Sequence, residues 1–262
     1  MTAFETLLWV SRILGVAIAL HTLELWHLRG VMADDGVWRW SDVRADVRVF
    51  PGPVVRLLDA LLRPRAFSFV LATRIACAVW IVIAPHALPA VLLWLGSLLI
   101  ALRFRGSFNG GSDFMTLVVL SGLCVATLLP SPLASVGALW WIALQACNSY
   151  LLAGWVKLRT ASWRSGEAFS VFMRSTIFGS PGLPRLLIDR PFASRAIAWS
   201  VIAFECAFPM ALAGPRACLA FTALAGMFHV TNAYVIGIHR FVLAWAATYP
   251  AIYWCSQHWL PA

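Results

Sequence analysis

The chain has 262 residues, 61% hydrophobic and only 12% charged, and its net charge of +9 comes from 20 basic and 11 acidic residues. A soluble domain carries about 25% charged residues, so ordinary soluble, disordered and disulfide-rich secreted folds are excluded. The apolar stretches run to helical length instead of alternating, which argues against an outer-membrane barrel and predicts an all-α, polytopic membrane bundle.

About eight transmembrane helices are expected, over roughly 5–27, 66–85, 88–104, 113–129, 134–157, 194–213, 216–236 and 239–257. The opening MTAFETLLWV lacks a basic leader region, and the apolar run exceeds a signal core, so it reads as a retained span. The loop 29–65 is expected to hold an interfacial helix. In it Val54, Val55, Leu57, Leu58, Leu61 and Leu62 share one broad face, and Arg56, Asp59 and Arg63 fall opposite. Such a helix suits either the headgroup layer or a seat beneath the bundle. The segment GSFNGGSDF at 106–114 reads as a flexible entry to the fourth span, capped by Asn109 or Asp113. The loop 158–193 is expected to be interfacial too, with Pro181, Pro184 and Pro191 preventing one continuous helix. No repeat or linker divides the chain, so residues 1–262 read as a single membrane domain with no separate soluble domain.

Arginines alternate between loops. They crowd 29–65 and 159–195, occur at Arg103 and Arg105 and again at Arg240, and are absent from PHALP and PSPLAS. The positive-inside rule then places the first, third, fifth and seventh loops in the cytoplasm and both termini outside. Anionic membrane lipids are the expected partner of this charge, and nucleic acid is not.

Ionisable residues within the spans need another explanation, because each costs about 2.5–3.5 kcal/mol at a helix centre. Arg12, His21, Glu24 and Arg74 read as structural intramembrane ion pairs, with His21 and Glu24 three apart on one face. His229 and Asn232 share a face in the same way, and Glu205 is a further intramembrane carboxylate. The six cysteines form no CxxC pair and read as packing. No HxxxH, HExxH or Cys/His cluster is present, so no metal is expected. Lys157 is the single lysine among the 20 basic residues. Lysine can serve as a base where arginine cannot. Tyr150, Gly154 and Lys157 lie on one helix face. On these residues alone Lys157 reads as a snorkelling anchor at a span end.

The segment SYLLAGWVKLRTASWRSGEAF at 149–169 changes that balance. It resembles the signature of the HTTM superfamily, the membrane domain shared with vitamin K-dependent gamma-carboxylases, at Tyr150, Ala153, Gly154, Lys157, Leu158, Trp163 and Gly166. A late segment, FHVTNAYVIGIHRF, is similar to the family's second motif at Phe228, His229, Asn232, Gly237 and Phe241. Arg12 and the NGGSD run are weaker matches. The resemblance implies that Lys157 is a catalytic base, with His229 also catalytic. It implies a substrate or cofactor pocket of Tyr150, Gly154, Trp163, Glu205 and Asn232, and a quinone-like lipid such as reduced vitamin K as cofactor. In the carboxylases that lysine deprotonates the reduced quinone. The chain departs from them in lacking a counterpart of their adjacent Asn-His pair and in ending at Ala262 without their large following domain. Its charge bias also puts Lys157 on the cytoplasmic side, whereas the carboxylase site opens to the lumen. It looks more like the short stand-alone bacterial type, similar to the membrane component that matures a sporulation-delaying toxin, which implies a multi-pass protein of a bacterial inner membrane.

Three readings follow. The first is a membrane enzyme that modifies a peptide or lipid substrate. The second is a non-catalytic partner for peptide maturation or assembly, which would tolerate Lys157→Arg. The third is a transporter with a path through Glu24, His21, Glu205 and His229.

Overall fold

The structure is a computed structural model that describes residues 1–104, 110–174 and 190–258. Within these residues the chain is helical, with no strand. Among the described residues six stretches are long and apolar enough to cross a membrane: Ala3–Met32, Pro64–Ile83, Gly110–Leu128, Pro132–Arg159, Pro191–Ala213 and Pro215–Ile236. The chain falls into two compact units, residues 2–138 and 139–262.

In the first unit, α1 (Ala3–His27) starts with a capping box. The Thr2 backbone N–H donates to Glu5 Oε2 at 2.8 Å, and the Glu5 N–H donates to Thr2 Oγ1 at 3.2 Å. Two of the orphan N–H groups of the first turn are thereby satisfied. After a 3₁₀ turn at Leu28–Met32, the first loop folds as α2 (Trp40–Val43), a second 3₁₀ turn at Asp46–Val49, and α3 (Gly52–Leu62). The expected helix is therefore present, and its two faces differ. Leu58 and Leu62 enter a core with Leu25, Met32, Trp40, Phe67 and Leu71, whereas Val54 and Leu57 stay exposed. Asp59 is the polar anchor of this loop. It accepts from Trp40 Nε1 at 2.8 Å and takes both Arg44 Nε and Nη2, at 2.7 and 2.8 Å. These bonds, the Arg44 pair foremost, hold its carboxyl down at about 2.

The helix α4 (Pro64–Ile83) begins directly after α3, with Pro64 at its first position where no N–H is missed. It packs against α1 and α5 (Ala87–Arg103), and α5 packs against α6 (Gly110–Leu128). Asn109 lies outside the described residues, so its proposed cap does too. Asp113 stands in the first turn of α6.

The helix α7 (Pro132–Arg159) runs from one unit into the other. In the second unit it is followed by α8 (Ala161–Ser165) and α9 (Glu167–Arg174), which supply helix in the expected interfacial loop. Pro181 and Pro184 fall outside the described residues. Gly166 joins the two short helices with φ +84, a left-handed conformation that only glycine adopts readily. A Cβ there would also come within 2.5 Å of the Arg195 backbone nitrogen. The short helices thus lie against α10 (Pro191–Ala207), helped by Trp199 Nε1 donating to the Arg164 carbonyl at 3.1 Å. A 3₁₀ turn at Phe208–Ala213 leads into α11 (Pro215–Ile236).

Two expected spans stand apart from the six long ones. The third is α5, an apolar helix of 17 residues, the same length as the expected span. The last, over 239–257, is two pieces, α12 (Arg240–Ala246, 7 residues) and α13 (Tyr249–Gln257, 9 residues). Pro250 is the physical reason. It has no N–H for the Ala246 carbonyl four residues back, and its ring crowds that carbonyl. Hydropathy alone carries no trace of that break.

Candidate functional site

The residues singled out around Lys157 come together in the second unit. Lys157, on the last turns of α7, donates to both carboxylate oxygens of Glu205 on α10, at 2.8 and 2.7 Å. The carboxylate is nearly sealed, at 5% side-chain exposure, and the lysine side chain is 19% exposed. Glu205 is therefore the fixed, desolvated partner, and Lys157 reaches in to it. Its Nζ also lies 5.4 Å from the Trp163 ring centroid, a cation–π contact from α8.

Gly154 makes this pairing possible. It sits one turn before Lys157, and a Cβ there would lie 2.7 Å from the Cys206 backbone nitrogen and 2.8 Å from Glu205 Cβ. Only a hydrogen at that position lets α10 approach α7 closely enough for the ion pair to close.

Two turns before Lys157 on α7, the Tyr150 hydroxyl meets His229 Nε2 of α11 at 2.6 Å, and both residues are buried. Tyr150 stacks on Phe208 with ring centroids 3.8 Å apart and meets Phe204 edge-on. His229 lies 5.1 Å from the Trp245 ring, which in turn stacks on Phe241 at 4.9 Å. His229 Nδ1 and Trp245 Nε1 are both buried without a hydrogen-bond partner among the described residues. Natively buried polar atoms seldom stay so. If Tyr150 donates to Nε2, then Nδ1 carries the proton; if Nε2 donates, then Nδ1 is an acceptor. Trp245 can only donate. Both atoms stand among flat rings, with hydrogen-bonding capacity that the described residues leave unused.

Asn232 is half-buried on the same helix. The sequence reading did not single out Cys206, Phe204, Phe208 or Trp245 as contributors. Trp245 was within reach of pattern reasoning, one turn after Phe241 of the late motif. Phe208 was hidden by the change from α-helix to 3₁₀ turn at that residue.

The other intramembrane charges singled out from the sequence sit in the first unit. Arg74 is buried and held mainly by neutral acceptors. Its Nη1 donates to Ser97 Oγ at 2.9 Å and to the Leu93 carbonyl at 3.2 Å, and its Nε donates to Thr22 Oγ1 at 3.4 Å. Asp113 supplies the opposite charge it feels. His21 Nδ1 lies 3.8 Å from Asp113 Oδ1, so that carboxylate stands opposite a histidine from a different helix. Glu24 is half-buried one turn further along α1. Arg12 lies over the Trp9 ring at 5.3 Å.

Among the described residues no group of three or more His, Cys, Asp or Glu side chains is placed to hold a metal ion. No family model, curated protein or solved structure matches the chain.

Proposed function

We propose that this protein is a membrane enzyme in which Lys157, seated on Glu205, moves a proton at a lipid-soluble substrate. The observation that carries the reading is the bidentate Lys157–Glu205 pair, built in the same unit as the buried Tyr150–His229 bond. Passing one proton from the ammonium to the carboxylate turns the ion pair into a neutral amine and a carboxylic acid. Net charge is unchanged, so the apolar surroundings do not oppose the step through a new buried charge. The amine can then take a proton from an acidic hydroxyl of the substrate, as a general base. Tyr150 and His229 orient and share a proton across their 2.6 Å bond, and Trp245 offers a donor beside them.

The resemblance to the HTTM superfamily names the ligand class. A reduced quinone-like lipid, when bound, would supply the acidic hydroxyl and the reducing power. The unused hydrogen-bonding capacity of His229 Nδ1 and Trp245 Nε1, set among aromatic rings, would suit the oxygens of such a ring. The acceptor of the chemistry would be a small peptide or a lipid. In this reading the arginine-rich loops face the cytoplasm of a bacterial inner membrane, and α5 and the α12–α13 pair complete eight membrane-embedded segments with the six long spans.

The test uses the purified protein in liposomes with a reduced naphthoquinone as probe and oxygen uptake as readout. Lys157→Arg keeps a cation for Glu205 but cannot deprotonate. It should lower turnover by about 10²–10⁴-fold, the usual worth of a general base. Undiminished turnover would remove the catalytic claim.

A second reading has its own support. Of the Pro215–Ile236 span only Cys218, Ala225 and His229 are buried among the described residues, which leaves α11 a long apolar outer face for a partner helix. In that reading the ion pair is structural, and Lys157→Arg leaves assembly with the partner intact.

A further inference from the structure

A second candidate site lies in the first unit, away from Lys157, and does not depend on the enzyme reading. The helices α3, α4 and α5 enclose a groove of about 440 Å³, within the usual range for ligand sites. Its walls include Leu57 and Leu61 of α3, Phe69 and Thr73 of α4, and Leu95 and Leu99 of α5. Phe69 is 75% exposed and Leu57 58%, so the rim is open. The floor is closed by Gly96 and by the stem of Arg74, whose Cγ would lie 3.0 Å from a Cβ at Gly96.

The two ends of the groove are unlike. Phe69, Thr73 and Cys77 follow one another at four-residue spacing down one face of α4, and all three line the groove. Arg65 stands one turn above Phe69 on that same face, at the start of the span. With Arg63 and Arg44 it lines a polar recess of about 730 Å³, together with Asp34, Trp40 and Asp59. Asp59 already has Arg44 bound to both its oxygens. The Arg63 and Arg65 side chains are exposed, and the one carboxylate that feels Arg63, Asp59, is already held by Arg44. Counting from Arg65, the face reaches Cys77 after about 18 Å of helix rise, a depth suited to hydrocarbon.

We infer that this groove and the Arg63–Arg65 pair form a binding site for an anionic glycerophospholipid. One acyl chain lies along Phe69, Thr73 and Cys77, and the phosphate meets the two arginines. A zwitterionic lipid would fill the groove equally well, but its ammonium offsets its phosphate beside the two arginines, so net headgroup charge is what selects the occupant.

The experiment is native mass spectrometry of the detergent-purified protein, with quantification of the extracted phospholipids. The wild-type chain should retain a phosphatidylglycerol-type lipid in preference to a zwitterionic one. Arg63→Gln with Arg65→Gln should weaken that preference about tenfold or more, the worth of one to two interfacial basic residues. Leu95→Trp, which fills the groove from its exposed rim, should lower retention of both lipid classes. Equal retention in the wild type and all variants would overturn the site. Should a variant fail to fold, the unaltered protein in vesicles of phosphatidylglycerol carrying a diazirine on its acyl chain gives an independent answer. Crosslinks concentrated in 57–61, 69–77 and 92–102 support the site. Even labelling over the outer faces of all spans, or a crosslinked second copy at the groove, would overturn it.

Discussion

A carboxylate as sealed as Glu205 makes its neighbour expensive to remove. Lys157→Met should destabilise the protein by about 3–5 kcal/mol, because it strands a buried charge. The double variant Lys157→Met with Glu205→Gln should recover much of that loss, since neither charge remains. Thermal unfolding of both variants in one detergent checks the order, and a double variant no more stable than the single would mean the pair is not energetically coupled. Gly154→Ala is a sharper probe of the same contact. The added methyl meets backbone on α10, which cannot move aside like a side-chain tip. A loss of about 1–3 kcal/mol is expected from such overpacking, together with impaired turnover as the lysine is drawn off its carboxylate. Unchanged stability would show that α10 can shift without cost. The pairing partners were only half legible in the sequence. Lys157, Glu205, Tyr150 and His229 each stood out as polar residues in apolar runs, but nothing in spacing says that positions 48 and 79 residues apart meet. Gly154 carried the signal that a helix comes close, without saying which. Arg74 resisted prediction for a different reason. Its acceptors are a serine, a threonine and a carbonyl, residues too ordinary in a membrane helix to mark themselves.

Among the elements, α3 shows how a loop helix can serve two environments. Its period was readable, and so was its divided face. Which part of the apolar face turns inward was not, because that depends on Phe67 and Leu71 of the next helix. Asp59 fixes the loop around it, and its titration gives a pH test. Its carboxyl is held below the ordinary carboxylate range, so its contribution is complete above that range and lost as pH falls toward about 2. Asp59→Asn should therefore lower the unfolding temperature at neutral pH, and the gap to wild type should close on acidification. A gap that is constant with pH would assign the effect to something other than the Arg44 pair. The last apolar run teaches the opposite lesson. Its hydropathy predicts a crossing, and a single proline two residues into α13 divides it.

For the whole molecule, composition alone gave the helical membrane class, because half the usual charged content cannot coat a soluble surface. The count of crossings was less secure, since it turned on a 17-residue helix and a divided one. The two compact units separate the intramembrane charges by kind. Residues 2–138 contain Arg74 with its neutral acceptors and the His21–Asp113 contact, and residues 139–262 contain the lysine and the aromatic cluster.

The spacing of the central ion pair also has a consequence in time. Lys157 is made 48 residues before Glu205. At about 5–20 residues per second, it waits on the order of 2–10 s for its counter-charge during synthesis. Its place near the end of α7 lets the ammonium remain at the aqueous boundary meanwhile. Glu205 enters with α10 and finds a cation already positioned. The order of the two residues along the chain thus spares the nascent protein a stage at which a buried carboxylate has no partner.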